Sequence, residues 1–271
     1  MINIPHRKLL NNWPYLFWFA FYFIFFSVIT GGVAIIFYAV CVPLAFTPLA
    51  EYIWRSVSGV RPLRLRSEKQ RLLPLFKEVY EGAVQTDPNL SRAIKLYIKE
   101  DMSINAFAFG RSTLVLTRGS IALLSDECLK GLIAHEFGHF AQLDTIMALL
   151  STFANFLFSL ILSLLEDNKQ RVDEASKGLI IGCFKVLYDA VYYMFKFLQF
   201  IGDLILMRVS REHEYLADSF ALVSGFGQEL ADVLTEIYSV SVSKPQSVKE
   251  QLKSSHPPIT IRIEELESYL Y

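Results

Sequence analysis

No charged side chain occurs between Trp13 and Ala50, a run of 38 residues. A helix crosses the hydrocarbon core of a bilayer with about 20 apolar residues, so this run is too long for one crossing and long enough for two. It also exceeds the apolar core of about 7–15 residues in a cleaved signal peptide. Thr30-Gly31-Gly32 is a typical turn near its middle. We therefore expect a membrane hairpin with helices over roughly 13–30 and 33–54.

Composition agrees with a membrane protein. Of the 271 residues, 53% are hydrophobic and only 20% are charged, which is too apolar for an ordinary soluble domain. The net charge of −1 gives no reason to expect a nucleic-acid partner. Three scattered cysteines, Cys41, Cys128 and Cys183, lack metal-ligand spacing and predict no disulfide framework.

A second apolar region lies further along the chain. Residues 145–165 carry no charge, whereas residues 178–206 are apolar but interrupted by charged side chains. We expect a membrane hairpin at about 145–206, inserted in a domain of residues 61–271 that follows an N-terminal hairpin domain of residues 1–60. Basic residues flank the first hairpin on both sides, which predicts that both of its ends are cytoplasmic.

The interruptions recur at helical spacing and form one polar stripe: Lys185, Asp189, Tyr192, Lys196, Gln199 and Asp203. Charges at membrane depth are costly unless they face protein or a wet cavity. The stripe therefore predicts a polar wall leading towards residue 214. An interfacial helix that shows this face to bulk water is the alternative.

The polar parts of the chain predict a mixed soluble portion. An amphipathic helix is expected over 67–86, a half-buried strand over 94–99 and a strand hairpin over 104–117. A further helix begins near Ser125-Asp126, which are favourable N-cap residues. Shorter helices are expected over 228–239 and after Pro257.

The helix after Ser125 contains Ala134-His135-Glu136-Phe137-Gly138-His139. His135 and His139 lie one turn apart, so both imidazoles leave the same face and can bind one metal ion. Glu136 points about 100° away from His135, where a general base for metal-bound water belongs. Gly131 and Gly138 form a small-residue stripe, which suits either tight helix packing or the approach of a substrate.

A third ligand must come from elsewhere in the chain. A His six residues after His139 is excluded because Thr145 stands there. Glu214 is the candidate carboxylate, and Asp218, one helical turn later, suits the orientation of a ligand imidazole from behind. His213 is a rival ligand beside Glu214.

These motifs resemble the HtpX-type membrane zinc metallopeptidases, which are relatives of the CAAX prenyl proteases. Four blocks match that family in order: Asn105-Ala106-Phe107-Ala108, Ala134 to His139, Ser210 to Asp218, and His256-Pro257-Pro258 with Arg262. The resemblance implies one zinc per chain, held by His135, His139 and Glu214, with Glu136 as the base. It also implies a mainly α integral membrane protein with a small β-sheet and a gluzincin-like catalytic domain.

The same resemblance suggests roles for residues outside the ligand set. It places His256 and Arg262 near the zinc, where both are expected to be catalytic by stabilising the oxyanion. It places the strand Asn105, Ala106 and Phe107 beside the catalytic helix, where its edge suits an extended substrate. For Asn105, a simple strand end is an equally open alternative.

We therefore expect a membrane-bound zinc metalloendopeptidase that acts on membrane or membrane-proximal proteins. The expected surroundings are a lipid bilayer, the bacterial inner membrane, with the active site facing the cytoplasm. A CAAX-prenyl-protease-like processing enzyme and a catalytically inactive membrane adaptor are the alternatives.

Overall fold

A computed structural model describes residues 12–175, 179–241 and 257–270. Long helices dominate it, with one small sheet. In chain order the elements are α1 (Trp13–Ile29), α2 (Val33–Ala45), α3 (Pro48–Val57), β1 (Val60–Pro62), α4 (Arg66–Thr86), β2 (Lys95–Lys99), β3 (Ala106–Phe109), β4 (Thr113–Thr117), α5 (Arg118–Leu123), α6 (Asp126–Gln142), α7 (Asp144–Ala175), α8 (Leu179–Ala221), a π-helical turn (Leu222–Phe226), α9 (Gly227–Ser241) and α10 (Ile259–Leu270).

The chain forms two compact units. The sheet unit contains Asn12, Pro43–Met147 and Met207–Tyr271, and the helical unit contains Trp13–Val42 and Ala148–Leu206. Both α7 and α8 begin in one unit and end in the other. A domain boundary at residue 60 stays a prediction.

The sheet is mixed and has the strand order β1-β2-β4-β3. β3 and β4 form the antiparallel hairpin that the sequence predicts, closed through Gly110 at φ +61°. β2 pairs parallel with β4, and β1 adds antiparallel to β2. β3 is consequently an edge strand, with only one of its sides paired within the described sheet.

The sheet and the helices around it share one apolar core. Leu72 and Val79 of α4 meet Ile98 and Leu114 of the sheet and Ile133 of α6, and all five side chains are fully buried. The predicted helices over 67–86 and from Ser125 onward are confirmed, and Pro74 is accommodated inside α4.

The small-residue stripe of α6 permits close helix packing. A Cβ on Gly131 would lie 2.3 Å from the backbone carbon of Glu229 in α9. A Cβ on Gly138 would lie 2.6 Å from the Cα of Ala217 in α8. Of the two uses expected for the stripe, the structure therefore shows tight packing, and this packing brings the chain around Ala217 against the helix of the two histidines.

The helical unit has an aromatic core and an apolar exterior. Tyr22 and Phe26 of α1 contact Phe158 of α7, which stacks on Phe195 of α8 at 4.9 Å between ring centroids. Large side chains such as Ile24 (60% exposed) point outward. An apolar surface of this kind suits surrounding lipid.

Two described helices are long and apolar enough to cross a membrane, over Asp144–Glu174 and Gly182–Ser239. A third is added if Val33–Leu44 and Pro48–Val57 count as one broken span. The predicted N-terminal hairpin is present as α1 and α2, but its second helix ends at Ala45 rather than near residue 54. Thr47 caps a new helix by accepting a hydrogen bond from Ala50 N, and Pro48 follows at the first helical position.

The polar residues that follow the apolar segment 145–165 are helical as far as Ala175, where α7 ends. Charged residues of α7 pair there with the stripe of α8. Lys169 contacts Asp189 at 2.7 Å, Lys185 pairs with Asp173, and Lys196 pairs with Glu166. This portion of the stripe is therefore a packing face between two helices. The observed contacts favour neither the predicted polar wall nor an interfacial helix that shows this face to bulk water.

Candidate metal and active site

The helix that carries the two histidines has defined ends. The Ser125 side chain accepts a hydrogen bond from Cys128 N at the start of α6. At the other end Leu143 adopts a left-handed conformation, with φ 66°, and the backbone turns into α7 at Asp144. His135 and Glu136 are buried, with exposed fractions of 6% and 5%.

Three side chains converge on one point beside this helix. The Nε2 atoms of His135 and His139 lie 3.2 Å apart. Glu214, on α8, places Oε2 3.5 Å from Nε2 of His135 and Oε1 3.7 Å from Nε2 of His139. Glu136 stands beside them, since ligand atoms of the two histidines and of Glu136 all lie within 4.8 Å of one another.

This spacing fits a zinc ion. Ligand atoms at the usual 2.0–2.2 Å from a tetrahedral zinc are separated by about 3.3–3.6 Å. The three separations among His135, His139 and Glu214 come within about 0.1 Å of that range, and the set of two imidazoles and one carboxylate is typical of catalytic zinc sites. The donors are thus arranged to hold a divalent cation while leaving a fourth position open.

Carboxylates hold both imidazoles from behind. Nδ1 of His135 lies 2.8 Å from Oδ1 of Asp218, and Nδ1 of His139 lies 2.9 Å from Oδ2 of Asp144. A proton held on each Nδ1 leaves the Nε2 lone pair directed at the metal position. The structure therefore places Asp218 where the sequence expected it and supplies a second such carboxylate.

Asp144 was missed at the sequence level. It lies five residues after His139, which is off the helical repeat, and only the left-handed Leu143 turns its carboxylate back towards the imidazole. Its other oxygen lies 2.7 Å from Nδ1 of His213. The rival ligand His213 is thus engaged with Asp144, whereas Glu214 faces the histidines. An aspartate at the first position of an apolar helix was the one available sequence signal.

Arg262 of α10 lies behind the same group. Its Nε and Nη2 donate to the two carboxylate oxygens of Asp218 at 2.7 and 2.6 Å, and its Nη1 lies 3.0 Å from Oε2 of Glu214. The guanidinium therefore fixes two acidic side chains, and its contacts are those of a positioning residue. Its expected role at the oxyanion stays a prediction. His256, the other residue expected there, lies outside the described residues.

The carboxylates give the site a strongly negative electrostatic environment. Burial favours the neutral imidazole of His135, but hydrogen bonds with Asp218 and Glu214 outweigh burial and raise the pKa of His135 to about 10. Burial acts the same way on His139, where the carboxylates of Asp144 and Glu136 together outweigh it, so the pKa of His139 is also raised. Such surroundings stabilise positive charge at the imidazoles, and a bound dication supplies that charge.

The strand expected to hold substrate starts next to the histidine helix. Asn105 precedes β3, and its backbone N–H donates to Oγ of Ser120 (2.7 Å) and Oγ1 of Thr117 (3.1 Å). Ala106 is buried and Phe107 is half-buried, and β3 lies against α6. The structure thus brings Asn105, Ala106 and Phe107 to the sheet edge nearest the histidine helix.

The sequence profile of Peptidase family M48 matches residues 75–270, which is well over half of the chain. The chain belongs to this family. M48 peptidases are zinc-dependent metallopeptidases, and the matched region includes the histidine helix, Glu214, Asp218 and Arg262. The expected resemblance to HtpX-type peptidases is confirmed, and the M48 chain described here is a metallopeptidase with candidate membrane-spanning helices.

Curated relatives support the same assignment. A "Protease HtpX homolog" of Bacteroides fragilis (strain YCH46) is 27% identical over 250 residues, covering 80% of this chain and 74% of that protein. The homolog of Listeria monocytogenes serotype 4a (strain HCC23) is 30% identical over 208 residues, covering 64% of this chain and 67% of its own. The homolog of Dictyoglomus turgidum is 31% identical over 194 residues, covering 64% and 62% respectively.

A solved structure shows the same fold. The crystal structure of S. mikatae Ste24p superposes with a TM-score of 0.57 at 20% sequence identity, covering 94% of this M48 chain. The chain spans 62% of the length of that protein. The expected fold class, mainly helical with a small sheet and a gluzincin-like arrangement of two ligand-bearing helices, is thereby confirmed.

Proposed function

We propose that this M48 peptidase is a membrane-bound zinc metalloendopeptidase that hydrolyses peptide bonds of membrane or membrane-proximal proteins. The observation that carries this proposal is the convergence of three donors. Nε2 of His135, Nε2 of His139 and the carboxylate of Glu214 lie 3.2–3.7 Å apart, with the carboxylate of Glu136 beside them. That arrangement suits one zinc ion per chain and a neighbouring base.

His135, His139 and Glu214 would hold a zinc ion, which would act as a Lewis acid towards the scissile carbonyl and lower the pKa of a bound water to about 7. Glu136 then acts as the general base, because its carboxylate stands beside the donors and is buried from bulk solvent. It accepts the proton of the attacking water and can deliver that proton to the leaving amine.

The remaining charged residues keep the donors in place. Asp218 and Asp144 hold a proton on Nδ1 of His135 and His139, respectively, which keeps each imidazole in the tautomer that binds metal through Nε2. Arg262 holds Glu214 and Asp218 through three short contacts. We further propose that His256 stabilises the oxyanion.

The sheet edge supplies a means of binding the substrate. An extended peptide that pairs with the open side of β3, directly after Asn105, would gain backbone hydrogen bonds along Ala106 and Phe107, as in other cases of strand addition. Since β3 lies against the histidine helix, such a peptide is carried past the base and the metal ligands. This mode selects unfolded or extended segments over folded ones.

Placement and substrate class are also proposals. The apolar surface of the helical unit and the similarity to HtpX homologs support a bilayer location, which we assign to a bacterial inner membrane with the site facing the cytoplasm. Substrates close to that membrane face, including damaged membrane proteins, would meet the site most readily.

Metal analysis combined with a cleavage assay tests the proposal. Detergent-purified protein should contain about one zinc per chain and cleave casein, and Glu136→Gln should contain zinc without cleaving. Protein that neither binds zinc nor cleaves casein would be an inactive adaptor. Cleavage restricted to prenylated C-terminal peptides would instead support a processing enzyme.

A further inference from the structure

Helix α3 has its apolar side chains outside and its charged side chains inside. Leu49, Tyr52, Ile53 and Val57 are 57%, 63%, 53% and 84% exposed, whereas Glu51 is only 5% exposed. These four apolar residues lie on one face at helical spacing. An amphipathic helix on a water-soluble surface has the opposite arrangement, so this helix requires an apolar medium along its outer face.

The inner face of α3 is fixed to the turn between β3 and β4 by one carboxylate. Oε1 of Glu51 accepts a hydrogen bond from Arg111 N at 2.6 Å. Its Oε2 accepts hydrogen bonds from the hydroxyls of Ser112 and Thr113 at 2.6 and 2.9 Å. Gly110 is needed at this turn, because a Cβ there would lie 2.5 Å from Glu51 Oε1. The orientation of the helix is therefore set by the sheet.

Aromatic contacts attach the same helix to the strand edge. Trp54 stacks on Phe109 with 3.8 Å between ring centroids and meets Phe107 edge-on at 5.9 Å. Arg55 donates to Thr113 Oγ1 at 2.7 Å and lies over the ring of Tyr97. Two residues of the strand that we propose to bind substrate, Phe107 and Phe109, thus contact α3 directly.

The exposed face of α3 has few groups that can hydrogen-bond with water. Apart from the Tyr52 phenol, its polar side chain is Ser56, whose hydroxyl donates to the backbone carbonyl of Tyr52. Burying apolar side chains of this size in an apolar medium is favourable, and tyrosine is common at membrane interfaces. Only Phe46 and Thr47 separate α3 from the apolar helix α2, so α3 starts within about 10 Å of its end.

We propose that α3 is an interfacial helix whose Leu49–Tyr52–Ile53–Val57 face is embedded in the surface of the lipid bilayer. Because its other face clamps the β3–β4 hairpin, the open edge of β3 is held at the membrane surface. An extended segment leaving the bilayer can then pair with β3 without crossing bulk water. The placement rests on the chain being membrane-bound and not on its zinc chemistry.

Fluorescence quenching by lipids tests the placement directly. Single cysteines at Leu49, Ile53 and Val57, with the three native cysteines replaced, would carry an environment-sensitive dye in full-length protein reconstituted into phosphatidylcholine–phosphatidylglycerol vesicles. Leu73→Cys is the matched control, since Leu73 is an exposed leucine (46%) on helix α4 of the same unit. Doxyl-labelled lipid should quench the three α3 dyes at least threefold more than the control.

Quenching by aqueous iodide distinguishes lipid from water or a protein partner as the surroundings of this face. An α3 dye that is quenched by iodide as strongly as the Leu73 dye overturns the proposal, because the face is then in water. Shielding from iodide without quenching by lipid also overturns it and indicates a protein partner or a second copy of the chain. Quenching does not depend on catalysis, so an inactive protein still decides the placement.

Cleavage assays test the functional consequence. Ile53→Glu should slow cleavage of a membrane-anchored substrate in vesicles at least fivefold, while cleavage of a short soluble peptide stays within twofold. Leu73→Glu adds the same charge at the control site and should leave both rates within twofold. Equal losses on both substrates for Ile53→Glu would contradict a role of α3 in presenting membrane substrates.

Discussion

Each candidate metal ligand is held by at least one other charged side chain. His135 is backed by Asp218, His139 by Asp144 and Glu214 by Arg262. A ligand constrained in this way loses little freedom when it binds metal, so removal of the constraint should weaken metal binding even when the ligand itself remains.

The ligand and base assignments predict separable defects. His135→Ala, His139→Ala and Glu214→Ala should each lose zinc, as measured by elemental analysis of purified protein. Glu136→Gln should retain zinc and lose about 10²–10⁴-fold in cleavage rate, because it removes a base and no ligand. Zinc retained in Glu214→Ala but lost in His213→Ala would contradict the assignment of Glu214.

Asp144 provides a sharper test, because no motif in the sequence pointed to it. Asp144→Asn should weaken zinc binding about 10–100-fold through the loss of its contact with His139. Zinc competition with a chelator measures this affinity. The control Asp232→Asn changes an exposed aspartate of α9 and should leave the affinity unchanged. An unchanged affinity in Asp144→Asn would show that His139 needs no such support.

Close contact between helices α6 and α8 makes the site possible at the scale of elements. Gly138 lies directly before His139, and Ala217 lies three residues after Glu214. Without a side chain at Gly138 the two backbones approach closely enough for the donors on both helices to meet. The same sheet unit also contains a charge cluster outside the site, in which Glu68 accepts hydrogen bonds from Arg61 and Arg118.

Gly138→Ala should separate the helices. Its Cβ would lie 2.6 Å from Ala217 Cα, so the substitution should cost about 1–3 kcal/mol and reduce zinc content. Gly182→Ala is the matched control, because a Cβ there has no atom within 4 Å, and it should be neutral or slightly stabilising. Thermal unfolding in detergent measures both. Equal melting temperatures for the two variants would contradict the close-contact argument.

The charge cluster predicts an acid-sensitive contribution to stability. The hydrogen bond from Arg61 holds the pKa of Glu68 well below its usual range. A lowered folded-state pKa gives stability that is fully present above the unfolded pKa, about 4.3, and is lost as pH falls through the folded value. Glu68→Gln should therefore destabilise the protein by about 3 kcal/mol at pH 7 and flatten the decline of stability below about pH 4.5.

Unfolding measured between pH 3 and pH 7 checks this expectation. Glu81→Gln serves as control on the same helix, since Glu81 is 61% exposed and its ion pair with Lys77 spans 3.7 Å. It should change stability by less than about 0.5 kcal/mol at any pH. A Glu68→Gln profile parallel to that of the wild type would show that Glu68 does not carry the acid dependence.

The whole molecule combines a sheet unit that carries the candidate catalytic groups with a helical unit that suits lipid. α7 and α8 each belong to both units, so the histidine helix and Glu214 are joined through the helical unit along the chain. Since His139 and Glu214 meet, the intervening segment must cross the membrane twice or not at all. We predict two crossings, which would put residues 166–177 on the side of the membrane opposite the active site.

Cysteine labelling from outside intact cells tests this topology. Lys169→Cys should react with a membrane-impermeant reagent, while Lys77→Cys on α4 of the sheet unit should react only after the membrane is permeabilised. The three basic residues Lys169, Arg171 and Lys177 oppose this orientation by the positive-inside rule, which makes the segment a stringent test. Protection of Lys169→Cys in intact cells would favour a pair of helices lying at the interface.

The sequence by itself determined the histidine helix, the candidate ligand Glu214 and the need for a membrane. These features depend on local sequence. The spacing of side chains shows which residues share a face of a helix, and a long run without charged residues indicates a segment that lies in lipid. The strands over 94–99 and 104–117 were predictable for the same reason. Asp218 was predictable as a partner because it lies one turn from Glu214.

Only the tertiary structure decided which side chains and elements contact one another. The parallel pairing of β2 with β4, the turn that aims Asp144 at His139, and the contacts of Arg262 with Asp218 and Glu214 join residues whose separation follows no local period. Helix α3 is a further example. Its amphipathic pattern is visible in the sequence, but the sequence does not show that the apolar face points outward and the charged face inward. Periodicity defines two faces of a helix, and the packing of neighbouring elements determines which face meets protein and which meets lipid.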